Sequence, residues 1–599
     1  GIVTVGESAI DREYSIAHPG ALILDSDRVI PGLSELAEGI KRHGALASIE
    51  LAHAGRQSIP WLIGGKNPIA PSSLSSDFHE KLSGEKIVVD EMDQEMIDRV
   101  VENFADACLR AKRAGFDMVL IHGGHGWLLA QFLSPFTNKR TDKYGGSLEN
   151  RARFPLQVLN RIREKCGPEL GIEYRMSALE FIEGGLTQQD GINFAKMIQD
   201  KVDLLNVSVG MIGNISEFPI IHPVTYEPHG RNVPYAAAIK QEVDVPVTTL
   251  GAINDPYLME RILQEGKADI IGTARVILAD PYFPDKVRRG ETEEYTPCTR
   301  CLYCLSRAAN FYPIKCAVNP IIGREVEFNE IGEASQKKKV VIVGGGPAGM
   351  EAAEMACRRG HQVTLYEKEN RLGGNLILAS AMPFKEDTKK YLDFLIKRTC
   401  QLPINLKIST EATAEKIEKE KPDVLFLAVG ADPCVLDLPG IDNKNAVLAC
   451  DYLDNKSSVH GKKIVVAGGG LVGAEIALTL AMEGKDVKIV EMLDDIAKDA
   501  YFVPRIALID RLADANVEIR TNNKVVEIID DGLKAEDKDG NIVSIDADTV
   551  IMSFGYKSRV AEVEKFKGLA TDVIAIGDCK SPRRIADAVQ EGFFAGVDL

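Results

Sequence analysis

The stretch Lys339-Val340-Val341-Ile342-Val343-Gly344-Gly345-Gly346-Pro347-Ala348-Gly349 decides how the second half of this chain folds. A short β-branched run enters a glycine-rich turn, and a helical pattern follows. Gly344, Gly346 and Gly349 stand at the G-x-G-x-x-G spacing, with Ala348 inside the turn. That spacing provides a tight turn, a backbone close enough for a pyrophosphate, and a helix N-terminus facing the anion. The next strand-like run, 362–366, ends at Glu367, eighteen residues past Gly349. An acid at that distance can hold a ribose 2′-hydroxyl.

The unit then repeats. The run 463–467 leads into Gly468-Gly469-Gly470-Leu471-Val472-Gly473, and the strand-like run 486–490 ends at Glu491. The glycines that matter are Gly468, Gly470 and Gly473, and two such units imply two nucleotides. The second lies inside the first, because 424–431 and 573–578 read as strands and turns returning to the outer domain. This nesting resembles the two-dinucleotide-binding flavoprotein reductases. The resemblance implies FAD in the outer domain and a nicotinamide nucleotide in the inner one. It places Gly374 and Asn375 in the second glycine turn of the FAD fold, and Asp578 at a ribityl or phosphate edge. Glu491 would repel a 2′-phosphate and Met492 offers no compensating cation, so NADH is expected over NADPH.

Cys298, Cys301, Cys304 and Cys316 fall within nineteen residues, as Cys-x2-Cys-x2-Cys-x11-Cys. Thiolates on so tight a loop converge on one soft metal centre. Three on one loop and a fourth before Asn319-Pro320 read as a [4Fe–4S] site. Four sulfurs also suit zinc, which more often takes two separated Cys-x2-Cys knuckles. The other seven cysteines are scattered and read as buried thiols of a reducing, cytoplasmic compartment.

At 599 residues several domains are expected, and 45% hydrophobic residues permit large cores. No apolar stretch approaches the ~20 residues of a membrane span. The start has no basic region of a signal peptide. A formal net charge of −17 argues against nucleic acid as a partner.

Before residue 280, strand-like runs recur at 1–7, 45–53, 116–122, 171–177, 204–209, 245–251 and 268–273. Helical patterns such as 93–114 and 145–165 separate them. Alternating βα units argue a parallel sheet closed as a TIM barrel, with an open doubly wound sheet as the alternative. Seven runs, and a chain that opens on one, lead to the expectation that the barrel's first strand is missing from this chain. The expected fold is therefore α/β: an N-terminal (β/α)8 barrel plus two Rossmann-like domains. The expected boundaries are 1–285 for the barrel with its substrate site, 286–335 for the cluster loop and linker, 336–445 with 556–599 for FAD, and 446–555 for NAD(H).

The residues His122-Gly123-Gly124-His125-Gly126-Trp127-Leu128-Leu129 continue through Gln131 to Pro135, Asn138 to Ser147 and Glu149-Asn150-Arg151. This long motif resembles the old yellow enzyme family. With the cluster loop and the nucleotide folds attached, the chain is similar to the 2,4-dienoyl-CoA reductase, trimethylamine dehydrogenase and clostridial enoate reductase branch, and to ene-reductases of anaerobic bacteria.

The resemblance implies FMN at the C-terminal ends of the barrel strands. Arg175 then sits beside flavin N1 and O2, where a fixed cation stabilises the charge of reduced flavin. Gly251, Gly272, Ala274 and Arg275 match the phosphate-binding strand ends. Glu50 stands where many members carry a glutamine facing the flavin pyrimidine. His122 and His125 match two donors that hold a substrate carbonyl and stabilise the developing enolate. Trp127 departs from the pattern: the family has a tyrosine there to protonate the substrate, and an indole N–H is too weak an acid. Tyr226 and His229 are candidate replacements, and solvent is another.

The expected function is an NADH-dependent ene-reductase. Electrons would run from NADH to FAD, to the cluster, to FMN, and on as hydride to an activated C=C of an enone, enoate or enoyl thioester. The alternative is an amine dehydrogenase or demethylase passing electrons outward. A small unsaturated carbonyl compound is the expected partner, and a homo-oligomer is compatible with the sequence.

Overall fold

Strands buried on both faces need helices on both sides, and the chain supplies them by alternation. The computed structural model describes residues 1–76, 80, 84–213, 215–328 and 330–599. The chain divides into two units. The first is Gly1–Pro223 with Glu227–Thr273, and the second is Val224–Tyr226 with Ala274–Leu599.

The strands of the first unit are β1 (Ile2–Ala9), β2 (Leu22–Ile23), β3 (Leu46–Ala52), β4 (Ile69–Ala70), β5 (Asp90–Glu91), β6 (Met118–Gly123), β7 (Gly171–Ser177), β8 (Leu204–Ser208), β9 (Val247–Thr249) and β10 (Ile270–Ile271). Eight of them form one parallel sheet in the order β10-β9-β8-β7-β6-β3-β1-β2, and β4 pairs with β5 apart from it. This is the sheet of the (β/α) barrel. All seven expected runs are strands, and β2 adds a two-residue strand too short to show a sequence period. The strands β6 and β8 are buried along their whole length.

Helices Gln94–Arg113, Gln188–Ile198 and Pro256–Gln264 start where short polar side chains cap them. Asp93 accepts from Met96 N, Thr187 and Asp190 form a capping box, and Asp255 accepts from Tyr257 N and Leu258 N. The stretch read as one helix from 145 to 165 is two, Leu148–Arg151 and Arg153–Cys166, split at Ala152. The core joins Ile49, Leu51, Val119 and Ile121 from the sheet to Phe104, Phe154 and Phe194 from the helices.

The second unit holds two parallel sheets. The first is built from β11 (Lys339–Val343), β12 (Gln362–Tyr366), β13 (Asn405–Lys407) and β14 (Val424–Leu427), and after it comes β15 (Ala431–Pro433). The chain then forms β16 (Ala446–Leu448), β17 (Lys463–Ala467), β18 (Asp486–Val490), β19 (Glu518–Arg520), an antiparallel meander of β20 (Lys524–Ile529), β21 (Gly532–Glu536) and β22 (Ile542–Asp546), and β23 (Thr549–Met552). It returns through β24 (Tyr556–Ser558) to β25 (Asp572–Ala575). The orders are β13-β12-β11-β14-β25 and β16-β23-β17-β18-β19. The pair β15–β24 is antiparallel, so the second sheet is nested within the first by the double crossing the sequence announced. Among the described residues no helix is long and apolar enough to cross a membrane.

Candidate functional site

Strand register brings the barrel's polar residues to one level. His122 pairs with Arg175, Arg175 with Asn206, and Asn206 with Thr248, across four adjacent parallel strands. These are C-terminal strand positions, the end at which barrel enzymes build their sites. Arg175 Nη1 donates to Glu50 Oε1 at 2.7 Å, and its Nε reaches Asn206 Oδ1 at 3.4 Å. Asn206 Nδ2 in turn donates to Glu173 Oε1 at 2.7 Å. Burial pushes the Glu173 carboxyl up, and the Asn206 bond and the Arg175 charge oppose that rise.

The His-Gly-Gly-His turn has a steric reason. A Cβ on Gly123 would fall 2.0 Å from the Tyr174 hydroxyl, and one on Gly124 would meet the Met176 carbonyl carbon at 3.0 Å. His125 itself adopts φ 54°, a left-handed conformation that a non-glycine residue holds at a cost. Its N–H donates to Ser177 Oγ at 2.8 Å and its carbonyl accepts from Ile212 N at 2.8 Å, which fixes it there.

Gly124 N donates to His122 Nδ1 at 3.4 Å, which leaves the ring proton on Nε2. His122 Nε2 lies 3.4 Å from His125 Nδ1 and 3.7 Å from Glu50 Oε1. His125 Nε2 lies 2.6 Å from Ser208 Oγ. The tautomers that satisfy all of these contacts run His122 to His125 to Ser208. Burial holds both imidazoles well below the usual histidine range. The His125 and Arg175 charges add to this at His122, and Arg175 and His222 add to it at His125. Both rings are therefore neutral donors at pH 7. In this arrangement Ser208 engages the His125 proton, and the His122 Nε2–H, held only at 3.4 Å, is the one free to turn to a ligand oxygen.

Trp127 is buried and meets His122 edge to face at 5.9 Å. It caps Leu128–Leu133 by position and shapes the wall beside the imidazole.

Tyr226 is the tyrosine expected as a candidate acid. It belongs to the second unit, where its ring packs on Phe384 and its hydroxyl donates to Glu475 at 2.5 Å. Lys385 pairs with the same carboxylate. Burial and the Glu475 charge hold the phenol well above the usual tyrosine range. The Tyr226 hydroxyl is thus held by a carboxylate of its own unit.

The residues present fit FMN. At the end of β9, Gly251 has φ 108°, and a Cβ there would strike Asn232 Nδ2 at 2.7 Å. Both polar atoms of the Asn232 amide are buried without partners, as are the Thr248 and Thr249 hydroxyls. Polar groups orphaned at one strand end need a ligand to satisfy them. Gly251 and Gly272 belong to the first unit, whereas Ala274 and Arg275 belong to the second. The Arg275 charge acts on Cys298 and Cys304 there.

The two glycine loops fit dinucleotides. Gly345 N donates to Glu367 Oε2 at 2.8 Å, and Gly469 N donates to Glu491 Oε2 at 2.6 Å. A Cβ on Gly349 would fall 2.0 Å from Gly344 O, and one on Gly473 2.1 Å from Gly468 O. Helix and strand therefore touch only because neither glycine has a side chain. By contrast Gly346 and Gly470 face open space, where a Cβ would meet no atom closer than 3.8 Å. That room is where a pyrophosphate fits. Gly373 N donates to Gly345 O at 2.9 Å, so Gly374 closes over the first loop, with Asn375 beginning the turn after it. Asp578 follows β25, accepts from Arg583 N at 3.2 Å, and is pushed up by burial.

The four cysteines of the tight loop lie in the second unit. Cys298 and Cys316 are buried, and Cys301 and Cys304 are partly so. Burial, and after it the Cys298 charge, pushes the Cys316 thiol up. Arg300 (φ 50°) and Leu302 (φ 55°) alternate with the cysteines in left-handed conformations that wrap the loop inward. Arg300 Nε pairs with Asp387 at 2.5 Å, both side chains buried, and anchors the wrap. Cys298 and Cys316 share one packed core with Ala348, Met350, Ala352 and Ala353 of the helix that leaves the first glycine loop. Among the described residues no three His, Cys, Asp or Glu side chains close on a single ion. Sequence reading missed Glu173, Asn206, Ser208 and the Arg300–Asp387 pair.

Known proteins share this arrangement. Residues 1–294 match the NADH:flavin oxidoreductase / NADH oxidase family, and residues 338–592 match the pyridine nucleotide-disulphide oxidoreductase family. An NADH oxidase of Thermoanaerobacter brockii is 39% identical over 96% of this chain and 88% of its own length. A cinnamate reductase of Clostridium sporogenes is 35% identical over 99% of this chain and 90% of its own. The solved structure of a 2-naphthoyl-CoA reductase with 2-naphthoyl-CoA superposes with a TM-score of 0.93 and 32% identity, covering 100% of this chain and 92% of that one. The chain belongs to the NADH:flavin oxidoreductase / NADH oxidase family, in the old yellow enzyme branch whose sequence continues from the barrel into a pyridine-nucleotide reductase module.

Proposed function

We propose that this chain is an NADH-dependent ene-reductase that reduces the activated C=C of an enoate, enone or enoyl thioester. The observation that carries the reading is the pair of neutral imidazoles, His122 and His125, set one strand from Arg175 at the barrel's C-terminal end. A neutral imidazole donor suits a carbonyl that becomes an enolate, because it stabilises the developing charge without first binding an anion. Arg175 would fix negative charge on the flavin side, and Glu50 holds that guanidinium in place. The relatives named for cinnamate and 2-naphthoyl-CoA support the same substrate class.

In the second unit, Gly344, Gly346 and Gly349 with Glu367 would hold FAD, and Gly468, Gly470 and Gly473 with Glu491 would hold NADH. Cys298, Cys301, Cys304 and Cys316 would hold a [4Fe–4S] cluster. When bound, the flavins supply hydride chemistry and the cluster supplies one-electron transfer between them. Glu491 disfavours a 2′-phosphate, so NADH is the expected donor. Trp127 cannot protonate the substrate, and with Tyr226 committed to Glu475 the proton comes from water or from a carboxyl of the barrel floor.

The test is a substrate panel. Enzyme reduced anaerobically by NADH is mixed with cinnamate-like acids, enoyl thioesters and cyclic enones. Rapid flavin reoxidation by at least one class is expected. Reduction by secondary or tertiary amines, with no reoxidation by any alkene, would replace the reading with an amine dehydrogenase.

A further inference from the structure

The two glycine loops differ at the first residue of the helix that each one opens. In the outer loop that residue is Pro347, which has no N–H. In the inner loop it is Leu471, and its N–H donates to Asp499 Oδ1 at 2.8 Å. Both oxygens of that carboxylate lie over Gly470. A Cβ on Gly470 would meet Oδ1 at 3.8 Å and Oδ2 at 3.9 Å, with nothing nearer. A Cβ on Gly346 would instead find the Gly374 Cα as its nearest atom, at 4.0 Å. The inner helix, Leu471–Met482, has no acid in its first turn, so Asp499 brings a negative group to the positive end of its dipole from outside the helix.

Asp499 is presented by the loop that follows β18 and Glu491. Ala497 N donates to Gly469 O at 2.7 Å, and Ala497 itself takes the left-handed conformation, φ 48°. Ala500 N donates to Ala497 O at 3.0 Å. Arg584 donates to the Asp499 carbonyl and lies over the Tyr501 ring at 4.0 Å. Arg505 pairs with Asp495 and donates to the Ile496 carbonyl at 3.0 Å. The loop backbone is thus pinned on both sides of Asp499, whereas the Asp499 side chain is exposed and rests on the Leu471 N–H.

We propose that Asp499 is a built-in competitor for the pyrophosphate of the nicotinamide nucleotide: its carboxylate sits in the anion seat of the inner loop and turns out into solvent when the nucleotide closes on the helix. The inference rests on the reading that this loop takes NADH. The Leu471 N–H is one of the donors that such a loop offers a pyrophosphate. One N–H does not serve two anions well, and two anions at this distance repel. Turning out gives up one capping bond and leaves a carboxylate in water, so the exchange is reversible. The effect is to weaken a nucleotide that must come and go at each turnover. The outer loop would hold a resident flavin, and there Pro347 leaves no such donor to contest.

Calorimetric titration of the oxidised holoenzyme with NAD+ and with ADP-ribose tests this, because neither reduces the enzyme. Asp499→Ala should bind both about tenfold more tightly than wild type, since no capping bond is given up and no repulsion remains. Asp499→Asn keeps the cap without the charge, and should bind both about threefold more tightly. The Asn variant carries the test even if the Ala variant folds poorly. Adenosine, which has no pyrophosphate, should bind all three proteins alike. Variants that bind NAD+ no more tightly than wild type, or more weakly, overturn the proposal. A gain for adenosine as large as that for ADP-ribose also overturns it, because the effect would then not come from the pyrophosphate. If neither NAD+ nor ADP-ribose binds any of the three, the proposal falls with the NADH reading itself, so the two failures are told apart.

Discussion

The barrel floor and the paired glycine loops recognise their ligands by opposite means. At the floor, side chains do the work: Glu50 and Glu173 stand one step below His122, Arg175 and Asn206 in the strand register, His125 follows in the next turn, and hydrogen bonds tie Glu50 to Arg175 and Asn206 to Glu173. In the loops the backbone does it. Gly345 and Gly469 donate to Glu367 and Glu491 in the same way, and Gly349 and Gly473 admit the same helix contact. A network of charges fails as a whole when one member goes, whereas a backbone cradle fails locally and sterically.

Arg175→Met should give the largest effect. It leaves Glu50 and Glu173 without their cation and should destabilise the barrel by about 3 kcal/mol, the low end for breaking a buried pair, because the Arg175 side chain keeps 23% of its exposure. FMN content and the thermal midpoint measure it, and an unchanged midpoint would show that the network is weaker than its geometry implies. His122→Ala should come next, lowering kcat by roughly 10²-fold with small change in NADH binding, the scale of one lost donor at a developing oxyanion. An equal loss in NADH reduction of the enzyme would place His122 outside the alkene step.

The loops predict a cleaner separation. Gly473→Ala should weaken NADH at least about tenfold and leave flavin content intact, and Gly349→Ala should lose FAD instead. Equal effects of both substitutions on both nucleotides would mean that the loops do not act independently. Below these comes acid. Burial pushes His53 down to about 4, and His122 and His125 are likewise held low. Free histidine titrates near 6.5, so below that pH the unfolded chain binds more protons than the folded one. The histidine contribution to barrel stability should therefore be full above about pH 6.5 and be lost as pH drops toward 4, read as the difference in thermal midpoint between wild type and His53→Asn across that range. The smallest effect is expected of Trp127→Tyr, which restores a phenol beside His122 and should raise the alkene half-reaction a few-fold. No change would mean that solvent already supplies the proton fast enough.

How much of this was legible in the sequence follows from the same contrast. The glycine loops could be read because backbone demands leave few residue choices, and the acid eighteen positions on confirmed the unit. The four cysteines and the His-x2-His turn could be read because their spacing is local. The floor could not. Asn206 and Ser208 look like ordinary strand residues until the register sets them beside Arg175 and His125. Arg300 finds Asp387 across 87 residues. The partners of Tyr226 were not legible either, because the loop's own sequence does not say which core it joins, and the structure gives it Phe384 and Glu475. The helix read from 145 to 165 is divided at Ala152, beside the buried Arg151 whose guanidinium donates to the Leu133 and Gly146 carbonyls.

The central claim is that reducing equivalents enter through the twin loops and leave as hydride from the barrel floor. Anaerobic stopped-flow on the intact protein, reduced by NADH and then mixed with an aryl enoate, tests it most directly. The account predicts that iron and both flavins are present, that NADH reduces all of them, and that the enoate reoxidises all of them. Zinc in place of iron, a single flavin, or NADH reduction that no alkene reverses would contradict it.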